Sequence, residues 1–163
     1  MKTPLPGFGQ PVGGIFQIAY VVADIDAALA HWTQQLRVGP FFVFPGFTLE
    51  RLEYRGRPSH LDITLACGYS GSLCIELIAQ HDDAPSVYRD VATERGYGFH
   101  HCGVITDAFD EDLARLQESG AALAMSGVAP GNGARVVYLD TRGPLPGMTE
   151  LIERNPAVDA LFT

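Results

Sequence analysis

The second half of this chain repeats the first, and the repeat carries polar residues with it. Gln17-Ile-Ala-Tyr-Val-Val runs into Ala23-Asp-Ile-Asp-Ala-Ala-Leu-Ala, and His101-Cys-Gly-Val-Ile-Thr runs into Asp107-Ala-Phe-Asp-Glu-Asp-Leu-Ala. Each half also closes alike: Cys74-Ile-Glu-Leu-Ile-Ala-Gln matches Met148-Thr-Glu-Leu-Ile-Glu-Arg. Internal repetition means that one supersecondary unit is built twice and must bury its apolar face against its own copy. It pairs Gln17 with His101 and Glu76 with Glu150. All four sit in apolar, strand-like runs, where a polar side chain is costly unless something pairs with it.

At 163 residues the chain makes one ordinary domain or two half-size modules sharing a core. A formal net charge of −8 argues against a nucleic-acid partner, which needs a basic face. No apolar run approaches the roughly 20 residues of a membrane helix. The Pro- and Gly-rich opening, residues 1–13, lacks the apolar core of a signal peptide and reads as an extended arm. A cytoplasmic location is the expectation. Cys67, Cys74 and Cys102 have no close partner spacing; Cys74 and Cys102, in apolar strands, read as small hydrophobes.

Periodicity divides residues 14–155 into two βαβββ modules, 14–83 and 98–155, with a linking helix within 84–97 and a tail at 156–163. In the first module a strand at Ile15 to Val22 leads into a helix capped by Asp24 and running to about Leu36. Strands follow at Phe41 to Phe44, Thr48 to Tyr54, His60 to Ala66 and Ser72 to Ala79; the short one at Phe41 is supernumerary. The linking helix spans Ala84 to Arg95, with Pro85 in its first turn. In the second module a strand through His101 to Thr106 precedes a helix opened by Asp107, Asp110, Glu111 and Asp112 and ended by Gly120. Strands at Ala121 to Met125, Ala134 to Asp140 and Met148 to Glu153 complete it.

Strand alternation puts Gln17 on one face with Ile15, Ala19 and Val21, and His101 with Phe99, Gly103 and Ile105. Glu76 shares its face with Cys74 and Ile78, and Glu150 with Met148 and Ile152. Two carboxylates, an imidazole and an amide oxygen form a nitrogen/oxygen set suited to a divalent transition metal. His100 cannot ligate the same ion from a regular strand, and is expected to pack beneath or bond a backbone group. His31, His60 and His81 have no repeat counterparts and read as surface residues. Arg51, Arg55 and Arg57 form a local basic cluster that reads as a solvated hairpin, with docking of a substrate carboxylate the less favoured alternative.

Paired βαβββ units with these strand positions resemble the vicinal oxygen chelate superfamily, which includes glyoxalase I, methylmalonyl-CoA epimerase, extradiol dioxygenases and bleomycin-resistance proteins. The resemblance rests on Phe16-Gln-Ile-Ala-Tyr-Val-Val-Ala-Asp, Ile75-Glu-Leu-Ile, Gly98-Phe-His-His-Cys-Gly-Val and Thr149-Glu-Leu-Ile-Glu. It implies an α+β fold in which two modules form a cupped, half-open β-barrel around one divalent metal (Zn, Ni, Co, Mn or Fe). Gln17, Glu76, His101 and Glu150 are then the ligands, with Glu150 or Glu76 as catalytic base. The combination is similar to that of glyoxalase-like enzymes and departs from the two-histidine, one-carboxylate dioxygenase pattern at Gln17. The implied activity is a metal-dependent isomerase or lyase acting on a small, largely apolar carbonyl compound, in a pocket walled by Ile15, Phe99, Met148 and Ile152. The alternatives are a non-catalytic binding protein and, third, an oxygen-dependent ring-cleaving enzyme. A small-molecule substrate and a homodimer are expected, with the site formed within one chain or across two.

Overall fold

The computed structural model describes residues 14–143 and 146–162; the N-terminal arm lies outside the described residues. The first module comprises β1 (Ile15–Val21), α1 (Ile25–Ala30), β2 (Phe41–Phe47), β3 (Glu50–Tyr54), β4 (Arg57–Pro58), β5 (Ile63–Ser70) and β6 (Leu73–Gln80). The second comprises β7 (Gly98–Thr106), α3 (Phe109–Glu118), β8 (Ala122–Val128), β9 (Arg135–Asp140) and β10 (Met148–Glu153). Between them lies α2 (Val87–Arg95), and α4 (Pro156–Phe162) follows the second. The region read as a tail therefore carries a helix, whose Val158 is fully buried.

Capping chemistry explains the helix ends. Asp24 accepts the Ala27 N–H at 3.0 Å, and α1 then relaxes into one wider turn, His31–Gln35. Ser86 caps α2 by accepting the Arg89 N–H, so Pro85 stands outside the helix rather than in its first turn. Three acids open α3, where they face the positive end of the helix dipole.

The ten strands among the described residues form one sheet in the order β2-β5-β6-β1-β7-β10-β9-β8-β3-β4. The modules join along the antiparallel pair β1–β7, and each central strand has a parallel outer neighbour, β6 or β10. The supernumerary strand is not the one at Phe41. β2 is the first module's own edge, paired with β5, whereas β3 leaves its module and pairs with β8 of the other. Only Thr48 and Leu49 separate β2 from β3, a reach of at most roughly 11 Å across three Cα steps. The two ends of the sheet are thereby drawn together and the sheet curls into a cup.

Alternation sorts the core into three. Inside the cup lie Ala19, Val21, Ile63, Leu65, Ile78, Val136, Tyr138, Met148 and Ile152, joined by Val87, Tyr88 and Val91 of α2 and Val158 of α4. Outside it, α1 covers Ala66, Ile75 and Leu77, and α3 covers Val137, Leu139 and Leu151. The β3–β4 turn places Arg55 and Gly56 at φ 48° and 74°, the left-handed pair of a tight hairpin. Arg55 is held by Asp90 of α2 at 2.8 Å and fastens the hairpin to that helix, while Arg51 and Arg57 are exposed. No helix among the described residues is long and apolar enough to cross a membrane.

Candidate metal centre

The strand register turns the sequence repeat into a two-fold arrangement. One row across the four central strands reads Glu76, Ala19, His101, Met148; the next reads Cys74, Gln17, Gly103, Glu150. Reading the second row backwards superposes Glu150 on Glu76, Gly103 on Ala19, Gln17 on His101 and Cys74 on Met148. The four polar residues occupy the corners of a patch whose centre is two small residues. All come from one chain.

They are almost completely buried, with relative exposures of 2% for Gln17, 6% for Glu76, 0% for His101 and 5% for Glu150. His101 Nε2 lies 3.2 Å from Glu150 Oε2 and 3.5 Å from Glu76 Oε2. Gln17 Oε1, Glu76 Oε2, His101 Nε2 and Glu150 Oε2 are each buried without a hydrogen-bond partner. Orphaned buried polar atoms are rare and need a reason. Here four of the five such atoms among the described residues belong to one patch. Gly103 is part of its construction: a Cβ there would overlap Gln17 Oε1 and stand 3.2 Å from Glu150 Oε2.

Burial, and after it the charge of Glu150, raises the Glu76 carboxyl well above the ordinary carboxylate range; Gln17 and Cys67 hydrogen bonds only partly offset this. A dry carboxyl group either keeps its proton or finds a cation. Donors about 2.1 Å from a shared ion stand roughly 3.0 Å apart at right angles and 3.4 Å apart in a tetrahedron. The observed 3.2 Å falls within that range and the 3.5 Å just beyond it. No group of three or more His, Cys, Asp and Glu among the described residues has the spacing of a preformed metal cage. The chemistry of the donor set and its four unpartnered atoms fit a divalent ion.

A sequence model of the glyoxalase/bleomycin resistance protein/dioxygenase superfamily matches residues 16–138. The chain belongs to that superfamily. Among solved structures, a hypothetical protein from Bacillus halodurans is similar with a TM-score of 0.62 at 20% identity, over 88% of this chain and 95% of that one. Methylmalonyl-CoA epimerase from Mycobacterium tuberculosis gives 0.60 at 20% identity, over 91% and 93%. A Streptomyces coelicolor methylmalonyl-CoA epimerase in complex with 2-nitronate-propionyl-CoA gives 0.59 at 18% identity, over 89% and 96%. At such identities the likeness establishes the fold. No curated protein matches the sequence.

Within this superfamily fold, two bulges revise the lining expected from strict alternation. Between the pairs Ile15↔Val104 and Gln17↔Gly103, Phe16 is an extra residue; between Ala19↔His101 and Tyr20↔Phe99, the extra residue is His100. Each bulge shifts the face of what precedes it. Ile15 is therefore turned out and 58% exposed, and Phe99 lies against Tyr20 at 6.3 Å between rings. Neither lines the site; Met148 and Ile152 remain inside the cup. Tyr138, paired across strands with Glu150, was not foreseen: its ring lies 5.2 Å from that of His101 and its hydroxyl accepts from Tyr88 at 3.0 Å. His31, His60 and His81 are exposed, as expected. The cysteines are unpaired, Cys74 buried and Cys67 and Cys102 partly so.

Proposed function

We propose that Gln17, Glu76, His101 and Glu150 hold one divalent transition-metal ion, and that the protein is a metal-dependent isomerase or lyase of the glyoxalase or epimerase type. The observation that carries this reading is the set of four unpartnered polar atoms in one dry patch. Four protein ligands leave positions free on an ion that accepts more than four. The ion, when bound, supplies Lewis-acid polarisation of a carbonyl and stabilises the developing enolate.

The remaining chemistry belongs to the chain. Glu150 takes the proton from the carbon beside the carbonyl and returns it, the task of a general base within reach of that carbon. Glu76 is its equivalent across the pseudo-two-fold; Glu150 is preferred as the base because it lies on the module that also supplies His101. Met148, Ile152 and Tyr138 make the surroundings apolar and suit a small, largely hydrophobic substrate. A cavity of about 400 Å³ beside Arg55, Arg89, Glu94 and Arg142 includes none of the four residues and lies apart from this chemistry.

Protein purified without chelator should contain about one metal ion per chain by elemental analysis. Metal-free protein should gain thermal stability with zinc, nickel, cobalt, manganese or ferrous ion, by about 2.7 kcal/mol at a hundredfold excess over the dissociation constant. No gain with any of them favours the non-catalytic binding protein. Ferrous-dependent oxygen uptake with a catechol would favour the ring-cleaving enzyme. The homodimer belongs to the same proposal. Among the described residues β2 is an edge of the sheet on which Phe42, Val43 and Phe44 are exposed, a surface suited to pairing with a second copy. Sedimentation showing only monomer at micromolar concentration removes that part.

A further inference from the structure

We propose that His100 is a positioning residue that fixes which ring nitrogen of His101 carries the proton. His100 Nε2 lies 3.0 Å from the carbonyl oxygen of Val87, the first residue of α2, and His100 Nδ1 lies 2.8 Å from His101 Nδ1. Both rings are fully buried. A carbonyl oxygen only accepts, so Nε2 of His100 donates to it. Full burial penalises a charged ring, so His100 is neutral and, with its one proton at Nε2, bare at Nδ1. A nitrogen–nitrogen contact of 2.8 Å between rings needs one proton, and only His101 can supply it. His101 therefore donates from Nδ1 and turns Nε2 towards Glu76 and Glu150.

The bulge is what makes this possible. In a regular strand His100 and His101 would point to opposite faces. As the extra residue opposite Ala19 and Tyr20, His100 swings round to reach its neighbour's ring. Tyr88 and Tyr138 hold it there, with ring centroids 5.0 and 6.2 Å away. The chain Val87, His100, His101 thus ties the first turn of α2 to the candidate metal centre. It deepens the metal-centre reading but is tested separately from it.

The first test is nitrogen-15 NMR of the histidine rings in metal-free protein, read at Nδ1 of both residues. A protonated His101 Nδ1 facing a bare His100 Nδ1 is expected; a bare His101 Nδ1, or a protonated His100 Nδ1, overturns the assignment whether or not the protein binds metal. The second uses His100→Phe, which places in the second module the residue type that the first has at Phe16, and His100→Asn, whose Oδ1 can accept where Nδ1 did. His100→Phe should lose the fixed His101 Nδ1 proton and weaken zinc binding about 10–100-fold, with His100→Asn recovering much of both. A folded Phe variant that keeps the His101 Nδ1 proton and binds zinc as tightly as the parent refutes the role. Should that variant not fold, an Asn variant with a bare His101 Nδ1 refutes it equally.

Discussion

In the first module the bulged residue of the central strand is Phe16, packed against Phe162 of α4 with ring centroids 5.1 Å apart. In the second it is His100, bonded to α2 and to the adjacent His101. The bulges are related by the same two-fold that relates the polar residues, and each faces the helix that follows the other module. The repeat thus preserves a backbone device while its use diverges. An amide oxygen such as Gln17 Oε1 presents its lone pairs without any tautomer to choose. An imidazole must have one nitrogen occupied for the other to be available. The module that contributes a histidine to the site is the one whose bulge is polar.

Exchanging the repeat-related carboxylates one at a time gives the largest expected difference between the modules. Glu150→Gln should keep much of the metal, since an amide already stands at Gln17, and should slow solvent deuterium exchange into substrate by ~10²–10⁴. Glu76→Gln should be the milder change. Metal content and exchange rate are measured together. A Glu150→Gln protein that holds metal and exchanges at the parental rate transfers the role to Glu76 or removes proton transfer from the mechanism.

The small residues at the centre of the patch sharpen the comparison next. Ala19 already has a Cβ beside Glu76 and His101, whereas Gly103 has none beside Gln17 and Glu150. Gly103→Ala should push the Gln17 oxygen aside and weaken zinc binding by about 10–100-fold, the scale on which disturbed ligand orientation is felt. Ala19→Gly should leave affinity within a fewfold of the parent. Calorimetric titration of metal into both variants decides it; equal affinities would mean that the amide does not ligate.

What was legible in the sequence follows from which signals are local. The repeat placed Gln17 on His101 and Glu76 on Glu150, and the register brings all four together within one chain. The bulges were invisible because alternation assumes a constant step of two, while a bulge depends on how two distant strands align. That is why Ile15 and Phe99 were placed on the wrong face. The destination of β3 was equally hidden: Leu52 and Tyr54 read as strand, but nothing in their spacing says that their partner is β8 rather than β2. The α4 helix went unread because only Val158 and Phe162 mark its inner face.

Phe16→Ala tests whether the first module's bulge is only packing. Phe16 is half-buried against the inner core, so truncation should cost about 1–3 kcal/mol in denaturant unfolding. Zinc affinity per folded molecule should hardly change, in contrast to His100→Phe. A large loss of affinity on Phe16→Ala would show that both bulges orient ligands.

The smallest effect concerns acid. The second module holds Asp110, Asp112, Asp140 and Glu153 below their ordinary range, each chiefly through a hydrogen bond from an arginine: Arg135, Arg115, Arg142 and Arg135 again. In the first module Asp82 is also depressed, where hydrogen bonds from Gln80 and the backbone outweigh its burial. For a carboxylate with a depressed folded value, the unfolded chain takes up protons first as pH falls. The stabilisation is complete above the unfolded value, about 4, and is lost as pH falls through the folded value. Asp140 is the informative member, because Arg142 reaches it at 2.6 Å and itself extends to Glu94 of α2. Asp140→Asn should remove part of the acid sensitivity below about pH 4 while lowering neutral stability by less than about 1 kcal/mol, the scale of a partly solvated pair. Unfolding midpoints at pH 7 and pH 3 for parent and variant measure both. A variant whose midpoint falls by the same amount between the two pH values as the parent's would shift the acid response to the other carboxylates.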